Sequence, residues 1–181
     1  MLRLVLSVAG DADVRMSIGG GLAVNAHGFR RETDDVDAFF HFADRRKVLR
    51  SLNRLAPDHT VEQLDPSHWI AVPPGCGIGE RIDLMFATGD PEESAIEMSM
   101  QKRYHGTEAP VFPCDMLVIC KFLADRDEAK DVLDILTLHR NGAFDIPEIT
   151  LRLRQMGLED DAVRFPEFMR ELDELIKRKR R

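Results

Sequence analysis

The chain has 181 residues, 44% apolar and 31% charged, which is the balance of a folded globular protein rather than a disordered one. Lys and Arg total 25 against 32 Asp and Glu, so the formal charge is -7, which argues against coating duplex DNA through a general basic face. Residues 177–181 are all basic; without them 20 basic residues face 32 acidic ones, a body charge of about -12.

The elements follow in chain order. Residues 1–10 read as a first helix. Their apolar part ends by Gly10 and meets Asp11 and Asp13, so an export signal is not expected. A short strand over 14–18 runs into Gly19, Gly20 and Gly21. A short helix over 22–27 follows, with Gly28 as its stop. Residues 30–34 form a polar loop, and 36–42 read as a strand. Val48, Leu49, Leu52 and Leu55 share one face of a helix over Arg45–Leu55, which Pro57 ends.

Strands are expected over 60–64, His68–Val72 and 81–87. The glycines at 75, 77 and 79 lie between two strand-like runs and lack the Lys-Ser/Thr of a phosphate loop, so they mark a hairpin turn. Pro91 opens a short helix, and 109–112 read as a further strand. From Cys114 onward the pattern is helical. One apolar face runs through Met116, Leu117, Ile119, Cys120 and Leu123, and another through Val132, Leu133, Ile135, Leu136 and Leu138. Pro147 opens a third helix and Gly157 closes it. A last helix carries Phe165, Phe168, Met169, Leu172, Leu175 and Ile176, with Pro166 near its start. This is an α+β chain: a mixed sheet flanked by helices over 1–113, then a helical region over 114–181 expected to pack on it.

No apolar run approaches the ~18 residues of a membrane span. Cys76, Cys114 and Cys120 form no CxxC pair and are odd in number, which suits free thiols in a reducing cytoplasm. The six histidines show no zinc spacing.

The most informative stretch is residues 17–40, SIGGGLAVNAHGFRRETDDVDAFF. Glycines at a strand-to-helix turn let backbone N–H groups approach an anion. Thirteen residues separate Gly21 from Asp35, and Asp35 and Asp37 enter the next strand. Positions i and i+2 of a strand face the same way, so two carboxylates stand side by side. Their repulsion is relieved by a hard divalent cation with oxygen ligands. Asp83, in the apolar strand Arg81-Ile82-Asp83-Leu84-Met85, is the candidate for a third. Three acids on two strands can hold two metal ions about 3.5–4 Å apart for in-line phosphoryl transfer.

Together these residues resemble the DNA polymerase β-like nucleotidyltransferase superfamily, and most of all the small bacterial enzymes of the type IV toxin–antitoxin (AbiEii-like) group. The stretch 113–136, PCDMLVICKFLADRDEAKDVLDIL, is similar to that group's helical motif, with Lys121, Arg126, Lys130, Asp131 and Asp134 at matching places. The resemblance implies a nucleotidyltransferase fold and transfer of a nucleoside monophosphate from an NTP, such as ATP, to an acceptor hydroxyl, releasing pyrophosphate. It implies that Gly20 and Gly21 hold the triphosphate and that Asp35, Asp37 and Asp83 bind Mg²⁺, as two ions, or Mn²⁺. Asp83 would also help deprotonate the acceptor. Lys121 would contact triphosphate or acceptor, with Lys130 and Asp131 near the nucleotide; Arg30 and Arg31 would stabilise the leaving pyrophosphate. Many relatives carry Ser where Gly21 stands. The implied acceptor is RNA, such as a tRNA 3′ end, or a protein hydroxyl, with a cognate antitoxin as partner. The alternatives are an aminoglycoside-type antibiotic nucleotidyltransferase, whose cationic substrate suits an acidic cleft, and a catalytically inactive nucleotide-binding module.

Overall fold

The structure is a computed structural model and describes residues 1–124 and 129–179. Arg126 of the second motif and the basic Arg180 and Arg181 lie outside the described residues. The chain divides into two compact units, Met1–Pro113 and Cys114–Arg181.

The first unit is built on a seven-stranded mixed sheet. Its elements in chain order are α1 (Leu2–Ala12), β1 (Met16–Ile18), α2 (Gly20–Ala26), β2 (Val36–His41), a 3₁₀ turn (Phe42–Asp44), α3 (Arg45–Leu55), β3 (Thr60–Asp65), β4 (His68–Val72), β5 (Ile82–Ala87), α4 (Glu92–Glu97), β6 (Met100–Tyr104) and β7 (Thr107–Val111). The strand order is β3-β4-β5-β2-β1-β7-β6. β2 pairs parallel with β5 and antiparallel with β1, while β1 pairs parallel with β7.

The central strands are apolar on the face they bury. Val36, Ala38 and Phe40 of β2 alternate with the half-buried Asp37, Phe39 and His41. Ile82, Leu84 and Phe86 of β5 are also buried. That alternation places Asp37 on the opposite face of β2 from the Phe40–Phe86 core. Helices α1 and α3 pack together, joined by a hydrogen bond from Ser51 Oγ to Asp11 at 2.6 Å.

Several elements differ from the sequence reading. β1 begins at Met16 rather than 14, because Asp13 takes a left-handed conformation that closes α1. α2 starts at Gly20, so two of the three glycines lie inside its first turn. β6 was not expected at all; it is the exposed, charged edge of the sheet. Pro166 lies inside the last helix, which begins seven residues earlier at Glu159.

The second unit is helical: α5 (Cys114–Leu123), α6 (Ala129–Arg140), α7 (Ile146–Gln155) and α8 (Glu159–Lys179). Phe122, Phe144, Phe165 and Phe168 form an aromatic cluster, with Phe165 5.1 Å from Phe122 and edge-on to it. Leu133, expected on the apolar face of α6, is exposed. Arg152 of α7 ties to Asp115 of α5 at 2.6 Å. Among the described residues, no helix is long and apolar enough to cross a membrane.

Candidate active site

The site grows out of the β1–α2 turn and the first residues of β2 and β5. Gly19 N–H donates to the Asp37 carbonyl at 3.0 Å, tying the turn to β2. Gly20 has φ +53, a left-handed value that glycine adopts freely. A Cβ at Gly20 would fall inside the Asp37 carboxylate, so the absence of a side chain lets that acid lie against the first turn of α2. The first-turn amides of a helix have no partner within it.

Asp37 stands directly opposite Asp83 in the parallel β2–β5 register, so both point to one side of the sheet. Asp35 lies two residues before Asp37, just ahead of the strand, and accepts a hydrogen bond from Thr33 Oγ1 at 2.5 Å. Asp83 is almost fully buried. His68 Nε2 lies 2.7 Å from its Oδ1, and Arg81 Nε donates to its Oδ2 at 2.8 Å. Burial pushes the Asp83 carboxyl up, but the hydrogen bonds from His68 and Arg81, with the charge on Arg81, hold it below the ordinary carboxylate range. Arg81 in turn is raised by its bond to Asp83 against its own burial, then by the charges of Asp83, Asp35 and Asp37.

Three aspartates thus concentrate negative charge on one small region, and the Arg81 guanidinium answers their charges. The donor chemistry fits a hard divalent ion: all oxygen, all carboxylate, from two neighbouring strands. Asp83 has both oxygens engaged by His68 and Arg81, and among the described residues no three His, Cys, Asp or Glu side chains converge on a ready metal cage.

The two adjacent arginines of the loop differ. Arg30 is exposed. Arg31 is fixed by Asn25, which accepts from its backbone N–H at 2.7 Å and donates to its carbonyl at 2.9 Å. Its guanidinium occupies the space that a Cβ at Gly21 would need, and Thr33 Oγ1 lies 2.7 Å from the same point. This is a physical reason for glycine rather than serine at 21.

The second motif lies in the helical unit. Lys121 Nζ is 2.5 Å from Asp131 Oδ1 and 2.8 Å from Asp134 Oδ2, with little exposure of the lysine. This set, with Asp134 buried and Lys121 and Asp131 partly so, joins α5 to α6. Lys130 is exposed on α6.

His68 is the site residue that the sequence reading missed. It sits two positions before Ile70, the cross-strand partner of Asp83, and so reaches the carboxylate on a diagonal. That signal exists only once the β4–β5 register is known.

No family model matches this sequence, and no curated protein does. Solved structures do match its fold. The antibiotic-resistance factor ANT(2″)-Ia is 20% identical, with a TM-score of 0.57 over 88% of this chain and 94% of its own. The lincomycin-bound lincosamide antibiotic adenylyltransferase LnuA is 18% identical, with a TM-score of 0.55 over 76% of this chain and 94% of its own. An antigenic nucleotidyltransferase-like protein from Paracoccidioides brasiliensis is 20% identical, with a TM-score of 0.51 over 77% of this chain and 74% of its own. The mixed sheet and its flanking helices are therefore the fold of nucleotidyltransferases.

Proposed function

We propose that this protein is a metal-dependent nucleotidyltransferase that moves a nucleoside monophosphate from an NTP to an acceptor hydroxyl. The observation that carries the reading is Asp37 of β2 set opposite Asp83 of β5, with Asp35 beside them and the glycine turn resting on Asp37.

Asp35 and Asp37 would hold Mg²⁺ or Mn²⁺, with Asp83 as the third acid. When bound there, such an ion would supply positive charge against the triphosphate. The amides of Gly20 and Gly21 would receive phosphate oxygens, and Arg31, packed against Gly21, would meet the charge that grows on the departing pyrophosphate. His68 and Arg81 hold the Asp83 carboxylate ionised and fix its direction, so Asp83 would orient an attacking hydroxyl only by exchanging one of these two contacts for it. The acceptor oxygen would bond to the α-phosphorus as the bond to pyrophosphate breaks, and the hydroxyl proton would pass to solvent. Lys121, Lys130 and Asp131 are the second motif's candidates for contact with nucleotide or acceptor. For Lys121 this requires exchanging a contact with Asp131 or Asp134 for one with phosphate.

The acceptor favoured here is an RNA end, in a toxin-like role with a cognate antitoxin. Similarity of fold to ANT(2″)-Ia and LnuA supports a second reading, transfer to an antibiotic hydroxyl. The test is incubation with each of four α-labelled NTPs and Mg²⁺, using total RNA in one arm and tobramycin or lincomycin in another. Label in RNA supports the first reading, and label in the drug supports the second. No transfer in any arm, together with no metal-dependent NTP binding, would sink both. Asp35→Ala and Asp37→Ala should each lower kcat at least 10²-fold with an unchanged far-UV CD spectrum.

A further inference from the structure

The first unit contains a cleft of about 850 Å³ that the proposed reaction leaves unassigned. Arg30, Arg31, Arg103, Tyr104 and His105 line it, with Glu32 as the acidic member. Three arginines against one glutamate make this wall formally +2 in a protein whose net charge is -7.

The cleft is constructed from two directions. Asn25 clamps the backbone of Arg31 from α2. On the other side, the β6–β7 hairpin brings up Arg103, Tyr104 and His105 at its tip. His105 and Gly106 both have positive φ, 45° and 79°, as a type I′ hairpin turn requires. Histidine is one of the few non-glycine residues enriched in that region. The turn sets the His105 ring edge-on to Tyr104 at 4.4 Å. Arg103 pairs with Glu108 at 2.8 Å, but both side chains are largely exposed and the pair is worth little against a phosphate.

We propose that this cleft binds the single-stranded nucleic acid that presents the acceptor hydroxyl. Guanidinium groups take phosphate oxygens in bidentate fashion. Aromatic rings at the same wall offer a stacking platform for bases, the combination used for single strands. A polycationic drug finds the wrong sign of charge here. The position suits the role. The cleft lies at the far end of α2, whose seven residues span about 10 Å at 1.5 Å each. Arg31 lines the cleft while its guanidinium lies beside Gly21 at the near end, so one residue touches both places. A strand in the cleft can therefore extend its end to the aspartates.

The inference depends on the proposed reaction for the fate of the strand, not for its binding. The test is accordingly a binding measurement without NTP or metal: fluorescence anisotropy of a labelled 12-nucleotide RNA, the same strand with abasic sites, and a 12-base-pair DNA duplex. The intact RNA should bind more tightly than the other two. Tyr104→Ala should weaken RNA binding about 5- to 150-fold, the range of one lost base stack, and should leave the abasic strand unaffected. Arg103→Glu should weaken both single strands at least tenfold. Arg50→Glu, an equal charge change on exposed α3, should alter RNA affinity less than twofold. Equal weakening by Arg50→Glu and Arg103→Glu, equal affinity for intact and abasic strands, or wild-type RNA affinity in both Tyr104→Ala and Arg103→Glu would each overturn the cleft assignment. RNA binding through the cleft with no nucleotide transfer would instead overturn the reaction and leave the cleft standing.

Discussion

At the residue scale, the glycine turn and its acids are one packing problem. Asp37 can rest on α2 only because Gly20 has no side chain, and only glycine takes the +53° φ there without strain. Gly20→Ala is expected to lose about 1–3 kcal/mol from backbone strain alone. It should also displace the Asp37 carboxylate, so activity should fall by more than the stability loss explains. Thermal melts and kcat measured on the same preparation check this. Glu92 gives a separate test. It stands in the first turn of α4 and lines a small cavity with Phe39, Met85 and Phe86. Burial, with the nearby Asp90 charge, raises its pKa above 4.5, against a lowering backbone hydrogen bond. The folded state then holds this proton more tightly than the unfolded chain. Stability from Glu92 is present at low pH and is lost as pH rises from the unfolded value through the folded one. Glu92→Gln should therefore have a higher Tm than wild type at pH 7, and the difference should vanish near pH 4.

At the element scale, the strands that bury one face were readable from their apolar alternation, as in Val36, Ala38 and Phe40. β6 was not, because an edge strand has little to bury. Its Lys102 and Arg103 protect an open edge instead of marking a core. The acids of the site could be picked out by spacing along single strands. His68 could not, since its meeting with Asp83 depends on how two strands align. Nor could sequence separate Arg30 from Arg31, which the Asn25 clamp distinguishes. Pro166 misled in the other direction. It resembles a helix start, yet it is the eighth residue of α8 and exposed. There it cannot donate to the carbonyl of Ala162, four residues earlier, and its ring crowds that carbonyl. Pro166→Ala restores the donor and removes no core packing. A helix-interior gain of about 3 kcal/mol, less about 0.4–1 for the freer unfolded chain, leaves about 2 kcal/mol of added stability. Urea melts with unchanged m-value check it; a lower midpoint would show that the proline is matched to a local bend.

At the scale of the whole molecule, the acid excess and the basic cleft make opposite demands on a nucleic acid, and ionic strength separates them. With a net charge of -7, the chain as a whole repels a polyanion, and that repulsion is screened as salt rises. Local phosphate contacts weaken with salt instead, because each releases condensed counterions. For single strands the slope of log K against log salt is about -0.7 per contact. Arg30, Arg31 and Arg103 together therefore predict a slope of about -2 for the labelled RNA. The basic residues 177–181 are the competing anchor, and five contacts there in place of the cleft's three would give a slope of about -3.5. Titrations between 50 and 300 mM salt distinguish the two. A slope near -2 that persists after removal of 177–181 assigns binding to the cleft. A slope near -3.5 that collapses on the same truncation assigns it to the basic end of the chain. The first result is expected, because only the cleft adds aromatic rings to its charges, and stacking is the part of the affinity that salt does not remove.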